Sequence, residues 1–302
     1  MSATVLFVGA GDLAARCAAA LSADPAGPLA GARLVGLRRD IDALPPGFEG
    51  LAGDYADPAV APRVAALAPD FVVTTFKPLG RDEAGYRRGF ADAAGYLAEA
   101  FAAQPPRQLL FVSSTRVYAE QDGGWVDETS PLATVATDPA AAQIVAAEDA
   151  LAAVAPVARL RCAGIYGGAD GFLQRRVASG SLCPPTPVHY SNRIHRDDVG
   201  GFLAHLLAAA AGGSALAPAY NVVDNCPVPQ AEVEAWLAEQ LEVPESARRY
   251  DARPLSRGHK RIRNGRLHES GYRLRYPDYR AGYAAALAAG ALVSIVSINC
   301  VW

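Results

Sequence analysis

A doubly wound α/β fold, with a parallel sheet covered by helices on both faces and a smaller C-terminal lobe, is predicted by three observations. Short, nearly unbroken apolar runs recur along the chain. Alanine-rich helical stretches separate most of them, and the first run breaks into glycines just before its helix. Strands buried on both faces read as continuous apolar runs, and helix-length connections suit right-handed crossovers between parallel strands.

The elements follow in order. TVLFVG (4–9) is a short buried strand, followed by glycines and a helix over 12–22. ARLVGL (32–37) is the second strand, and LAGDY follows a further short one. FVVTTF (71–76) is another apolar run, with a long helical segment over 82–103. QLLFVSS (108–114) and ARLRCAGIY (158–166) are later strands. Between them, TDPAAAQIVAAED has Asp138 to cap a helix, Pro139 for its first turn and alanines to propagate it. Residues 167–193, rich in Gly, Pro and Arg, resemble a lobe wrapped over the sheet ends. HRDDVGGFLAHLLAAA (195–210) returns to a helix, with Asp198 near its start to cap or brace it. AYNVVD (219–224) is a strand, and residues 228–241 form an amphipathic helix. A basic stretch, 253–279, reads as a solvated or cofactor-side face.

The 302 residues are 51% hydrophobic and 20% charged, with a formal net charge of −3. That balance gives no general attraction for nucleic acid or anionic lipid. Cys17, Cys162, Cys183, Cys226 and Cys300 are scattered, with no zinc-like spacing, so a reducing cytoplasm is expected. The apolar N-terminus lacks the basic leader of a signal peptide. After Arg280 the chain carries no charged residue, but Gly282, Gly290, Ser294, Ser297 and Asn299 interrupt the apolar tail. No membrane span is expected there. A docked or interface-forming tail, suited to a homodimer, is the alternative.

FVGAGDLAAR places Gly9, Gly11 and Ala14 in GxGxxA spacing between a strand and a helix. Gly9 permits a tight turn, and Gly11 lets backbone approach a pyrophosphate that the helix amides stabilise. Ala14 lets helix and strand pack closely. Asp12 is awkward beside phosphates unless it points outward. The second strand ends LVGLRRD. Arg38 and Arg39 stand where an acid would bind a ribose 2′-hydroxyl, which favours NADP(H) over NAD(H), with Asp40 opposing that reading.

GAGDLA, GDY, FVSSTRVY, LRCAGIYGG, NRIHRDDV and YNVVD, in this order and spacing, resemble an extended short-chain dehydrogenase/reductase. That superfamily includes NAD-dependent epimerases and dehydratases, and the resemblance runs to about Tyr283. RIRNGRLHESGYRLRYPDYRAGY resembles the end of the atypical, YeeZ-like branch. The resemblance implies a Rossmann-type dinucleotide-binding domain over 1–166 with 195–224, and a substrate lobe over 167–194 with 225–283. Residues 284–302 form the apolar tail. It also implies cofactor contacts from Gly9, Gly11, Asp12, Leu13, Arg38, Arg39, Asp54, Tyr55, Thr75, Phe76 and Ser113, with Asp54 on the adenine amino group.

Ordinary members use a Ser, a Tyr and a Lys for proton handling. The match puts the serine at Ser114, and Glu148 sets a register in which the Tyr and Lys positions are Ala140 and Ile144. No Tyr or Lys occurs between 119 and 165. Candidate replacements are Lys77, Tyr166 and His195, the last being equally suited to orienting its helix. Tyr118 is a proton donor or a pocket wall, and with His189, Tyr190 and Arg193 makes the set of candidate substrate contacts. Two functions remain open. One is an NADP(H)-dependent reductase of a small carbonyl, imine or conjugated substrate. The other is a dinucleotide-binding sensor or partner without turnover. A non-redox epimerase or dehydratase is disfavoured, because that chemistry depends on the missing Tyr.

Overall fold

A computed structural model describes residues 2–168, 171–254 and 258–299, with side chains through residue 289. Seven parallel strands form one sheet: β1 (Thr4–Val8), β2 (Arg33–Arg38), β3 (Glu49–Ala52), β4 (Phe71–Thr74), β5 (Gln108–Ser114), β6 (Val157–Cys162) and β7 (Ala219–Val222). Their spatial order is β7-β6-β5-β4-β1-β2-β3. The chain runs outward from β1 in one direction, then restarts at β4 beside β1 and runs in the other. That reversal opens a crevice at the carboxyl ends of β1 and β4, the place where open α/β sheets bind ligands.

Each face of the sheet carries its own core, and successive residues alternate between them. Leu6 and Val8 pack with Val64 of helix α2 (Ala61–Leu67), Leu97 of α3 (Ala93–Phe101), and Ile144 and Leu151 of α4 (Pro139–Ala152). Val5 and Phe7 pack on the other face with Ala14 and Cys17 of α1 (Asp12–Ser22). They share that core with Phe202 and Leu206 of a sixteen-residue helix, Arg196–Ala211. A third, smaller core joins α5 (Phe172–Ala178) to α7 (Gln230–Gln240) through Leu173, Val177, Val233 and Leu237; in chain order the Arg196–Ala211 helix is α6. Tyr279 and Tyr283 of α8 (Tyr279–Asn299) complete it.

The expected elements are present, with three shifts. The run 71–76 leaves the sheet after Thr74, where the Thr75 amide turns in to bond the Val8 carbonyl at 2.9 Å. The run 158–166 divides: β6 ends at Cys162, and Gly164–Tyr166 pairs instead with Arg193–His195. The segment 82–103 is a helical turn at Glu83–Tyr86, a π turn over Arg87–Asp92, and then α3. Two further short pairings, Tyr190–Ser191 with Val228–Pro229 and Trp125–Val126 with Arg261–Ile262, fasten the smaller lobe. The basic stretch is held in this framework, with Arg261 laid over the Trp125 and Tyr190 rings. The apolar tail begins inside α8, whose backbone is described to Asn299; its last three residues, and the side chains from Gly290, lie outside the described residues. Among the described residues no helix is long and apolar enough to cross a membrane.

One polar cluster crosses the core. Glu148 of α4, 1% exposed, takes two bonds from Arg161 of β6, Nη2 to Oε2 at 2.7 Å and Nε to Oε1 at 3.1 Å. Ser113 of β5 donates to the same carboxylate at 2.6 Å. Arg161 Nη1 also donates to the Tyr118 hydroxyl, which donates in turn to Asn221 Oδ1 of β7 at 2.5 Å. Burial alone would disfavour both charges, but Arg161 bonds Glu148, Tyr118 and, at 3.4 Å, the Glu128 carbonyl, and Arg159 Nε also lies 3.5 Å from Glu148 Oε2. Removing Arg161 leaves the buried Glu148 carboxylate one cation, Arg159, whose Nε approaches only to the longer 3.5 Å. Arg161→Met is therefore expected to lower stability by about 3–5 kcal/mol, read as a shift in the urea midpoint, and a change below about 1 kcal/mol would contradict this account.

Candidate functional site

The turn between β1 and α1 is shaped to receive an anion. Gly9 has φ +82°, and a Cβ there would lie 2.8 Å from Thr75 Oγ1, so a larger residue is excluded on both counts. Thr75 Oγ1 donates to the Gly9 carbonyl at 2.8 Å and ties the loop after β4 to the turn. No side chain caps the first turn of α1, and the space in front of Gly11 holds only the Gly9 carbonyl, 3.8 Å from where a Cβ would sit. An uncapped helix start with open space before it suits a pyrophosphate.

Asp12 does not spoil this site. Its carboxylate receives both Arg16 Nε and Nη2 at 3.0 Å, and Arg196 Nη1 lies 3.6 Å away. The Arg16 bonds hold it below the usual carboxylate range. At the end of β2, Arg38 Nη1 donates to the carbonyls of Ala10, at 3.1 Å, and Ala43, so it fastens the glycine turn to the next loop. Arg39 extends into solvent, 78% exposed, with only a 3.9 Å approach to Asp54. Asp40 accepts from the Asp42 amide at 3.1 Å, and Asp54 from the Ala56 amide at 3.0 Å. Tyr55 packs on Phe76, and its hydroxyl accepts from the Lys77 amide at 3.1 Å. Phe76 is a core residue, packed against Phe90 and Phe111, and offers a ligand only its backbone.

In front of this turn lies a cavity of about 830 Å³, bounded by Leu13, Gly80, Ser114, Gly164, Ser191 and Phe172 among others. Ser114 reaches it, its Oγ accepting from the Arg116 amide at 3.2 Å. Tyr86, Arg116 of the FVSSTRVY stretch, and Lys260 also line it. Arg116 lies over the Tyr86 ring at 4.7 Å and makes two 2.9 Å bonds to Asp138, the cap of α4. Asp138 is the part of that helix that meets the cavity, whereas Ala140 and Ile144 are buried in its packing. Lys260 arrives from the basic stretch, 142 positions beyond Tyr118, whose carbonyl accepts from its Nζ at 2.9 Å.

Several expected site residues do something else. Tyr118 is fully buried, its hydroxyl spent in the Glu148–Arg161 cluster and its acidity weakened, the pKa pushed up to about 12 by burial, so it is not a substrate contact. The Ser113 hydroxyl is spent in the same cluster. The Tyr166 ring borders the cavity, but its hydroxyl is sealed against α8, where a Cβ on Gly282 would lie within 1.9 Å of it. That hydroxyl cannot deliver a proton to the cavity. His195, 3% exposed, caps α6 by accepting from the Asp197 amide at 3.2 Å, and its ring is packed by Tyr166 and Tyr276. Burial pulls its pKa down to about 4, so it is neutral and is not an acid catalyst. Asp198 braces rather than caps, accepting from the Arg275 and Tyr276 amides at 2.6 and 3.0 Å. Lys77 is exposed and stands outside the residues that bound the cavity. Arg193 borders the cavity, with its guanidinium turned to Ser191 and the Cys226 carbonyl. His189 lies in an adjoining cavity of about 570 Å³ with Cys183 and His259, while Tyr190 stacks on His259.

The whole chain is similar to a protein from Methylobacillus flagellatus described as an NAD-dependent epimerase/dehydratase. Identity is 30%, the match covers 95% of this chain and 98% of that one, and the TM-score is 0.74. The chain belongs to the NAD-dependent epimerase/dehydratase family. A conserved protein of unknown function from Silicibacter pomeroyi matches with 30% identity, 95% and 98% coverage and a TM-score of 0.70. A dTDP-glucose 4,6-dehydratase from Streptomyces venezuelae, solved with NAD bound, shares the fold at 19% identity, with 94% and 95% coverage and a TM-score of 0.74. No family model and no curated protein matches the chain.

Within this family fold, His195 supplies a check on the site's electrostatics. Its neutral ring is favoured in the folded protein, so its contribution to stability is complete above about pH 6.5 and declines as pH falls towards 4. An NMR titration of the His195 ring is expected to show a midpoint near 4. A midpoint at or above 6.5 would restore it as an acid.

Proposed function

We propose that this family member is an NADP(H)-dependent oxidoreductase that reduces a small carbonyl, imine or conjugated substrate without the Tyr-x-x-x-Lys pair. The uncapped start of α1, whose first residues Asp12 and Leu13 border the cavity, carries this reading. Backbone amides there would hold the pyrophosphate, Asp54 would meet the adenine, and Ser114 would orient the substrate's oxygen or nitrogen. A bound dinucleotide supplies hydride chemistry, and the chain's part is to position the acceptor, exclude water and furnish a proton.

Residues 167–194 with 225–283 act as the substrate lobe in this reading, closing the cavity with Phe172, Ser191 and Lys260. The cavity volume suits a small substrate beside the nicotinamide end. Cys17, Cys162, Cys183 and Cys226 are free thiols, which supports a reducing, cytoplasmic setting. A dinucleotide sensor without turnover is the second reading, favoured by the stretch 119–165 having neither Tyr nor Lys.

Arg39 gives the cofactor preference its test. Its guanidinium is free to meet a 2′-phosphate, whereas Arg38 is committed to two backbone carbonyls. Arg39→Ala is expected to weaken NADPH about tenfold, as loss of a charge-assisted bond would, and to leave NADH nearly unchanged. Arg38→Ala should weaken both by loosening the turn. Fluorescence titration measures each constant. Equal losses for the two nucleotides in Arg39→Ala would contradict the NADP(H) assignment.

A further inference from the structure

Hydride addition to a C=O or C=N bond is complete only when the heteroatom takes a proton, and the ordinary donor of this family is absent from α4. The cavity itself limits what can serve. Asp12 and Asp138 are both held ionised by their arginine partners, and a guanidinium does not release a proton at usable pH. Tyr166 has its hydroxyl sealed against α8, and Tyr283 is 4% exposed with its phenol pushed up to about 12 by burial.

Lys260 stands apart from the arginines nearby, none of which releases a proton at usable pH. Arg161 is paired with Glu148 and Arg176 with Glu234. Arg193, itself 5% exposed at the cavity and without an ion pair among the described residues, is bonded to Ser191 and the Cys226 carbonyl. Lys260 is 3% exposed and lines the cavity, yet its ammonium makes one bond, to the Tyr118 carbonyl, and no ion pair among the described residues. An ammonium has three protons to place, and a buried one without a counter-ion is costly. Glu120 and Asp138 act on it from beyond contact and favour its charge; Asp138 is itself neutralised by Arg116, and the Tyr118 hydroxyl faces away into the Glu148 cluster. Burial outweighs these and draws the amine down to about 8. The result is a group that holds a proton near neutrality and can give it up.

We propose that Lys260 is the proton donor of the cavity, taking over from the smaller lobe the role that α4 has lost. The proposal rests on the oxidoreductase reading. Two electrons reach the substrate carbon as hydride from the dinucleotide, and the C=O or C=N π pair shifts onto the heteroatom. That atom takes a proton from Lys260 Nζ as the N–H bond breaks. The carbonyl or imine is reduced, the dinucleotide is oxidised, and the neutral amine regains its proton from water.

Lys77 and Lys260 are the lysines of the chain, so a Lys77→Arg protein labelled with ¹³C-lysine reports Lys260 alone. In the free protein its ε-carbon shift is expected to titrate with a midpoint near 8. A midpoint near the ordinary 10.5 would overturn the proposal. With NADPH and 9,10-phenanthrenequinone as probe, wild-type reduction should fall as pH rises through about 8. Lys260→Arg keeps a cation but cannot release its proton. It should bind NADPH normally by fluorescence and lose about 100-fold in rate. Tyr86 is the remaining phenol at the cavity, so wild-type rates in Lys260→Arg, a loss seen only in Tyr86→Phe, or an inert wild type with NADPH bound each overturn it. Failure to bind NADPH instead removes the oxidoreductase reading, while the titration, made without nucleotide, still judges the acid.

Discussion

The buried pair of Glu148 and Arg161 is the constraint around which the rest is arranged. It joins α4 to β6 and reaches β5 through Ser113 and β7 through Tyr118 and Asn221, so one helix is keyed to three neighbouring strands. A ledger of charge burial alone would not favour such a pair. Its worth is in registration: a dry charge pair with few acceptable geometries fixes the rotation and height of the helix more sharply than apolar packing does. This holds α4 in place with Ala140 and Ile144 buried in its packing and Asp138 at the cavity. The scaffold is secured from beneath, independently of what faces the cavity.

The two ends of the cavity are built from different materials. The glycine-turn end is made of backbone: a glycine with positive φ, an uncapped helix start and a carbonyl tied by Thr75. Charges near it are neutralised locally, as the Asp12–Arg16 pair shows. Such a surface tolerates wide variation in side chains. The other end of the cavity is bounded by individual side chains from separate segments: Ser114 from β5, Arg116 and Asp138 from the loop and cap beside it, Tyr86 before the π turn, and Lys260 from the smaller lobe.

Much of the fold was legible because it rests on local rules. Asp138 and Pro139 announce the start of α4, and its cap bond to the Ala141 amide at 3.1 Å is the one those residues imply. The strands declare themselves by apolar runs, except that β3, Glu49–Ala52, is a short edge strand without one. Direction was not legible. FVSSTRVY and GIYGG place Tyr118 and Tyr166 near the right edge, but a sequence does not say whether a phenol turns to the cavity or to the core. Here one joins a buried network and the other is covered by α8. Lys260 carried no signal at all, because its contact with Tyr118 spans 142 positions and no periodicity links them.

The central claim is that a dinucleotide lies across the crevice between β1 and β4 with its reactive end beside the unreactive face of α4. A crystal structure of the protein soaked with NADP⁺ tests this most directly. The account predicts the diphosphate on the amides that begin α1, the 2′-phosphate against Arg39, and the nicotinamide between Ser114 and Gly164, opening towards Lys260. A nucleotide bound elsewhere, or a crevice that stays empty at saturating NADP⁺, would contradict it.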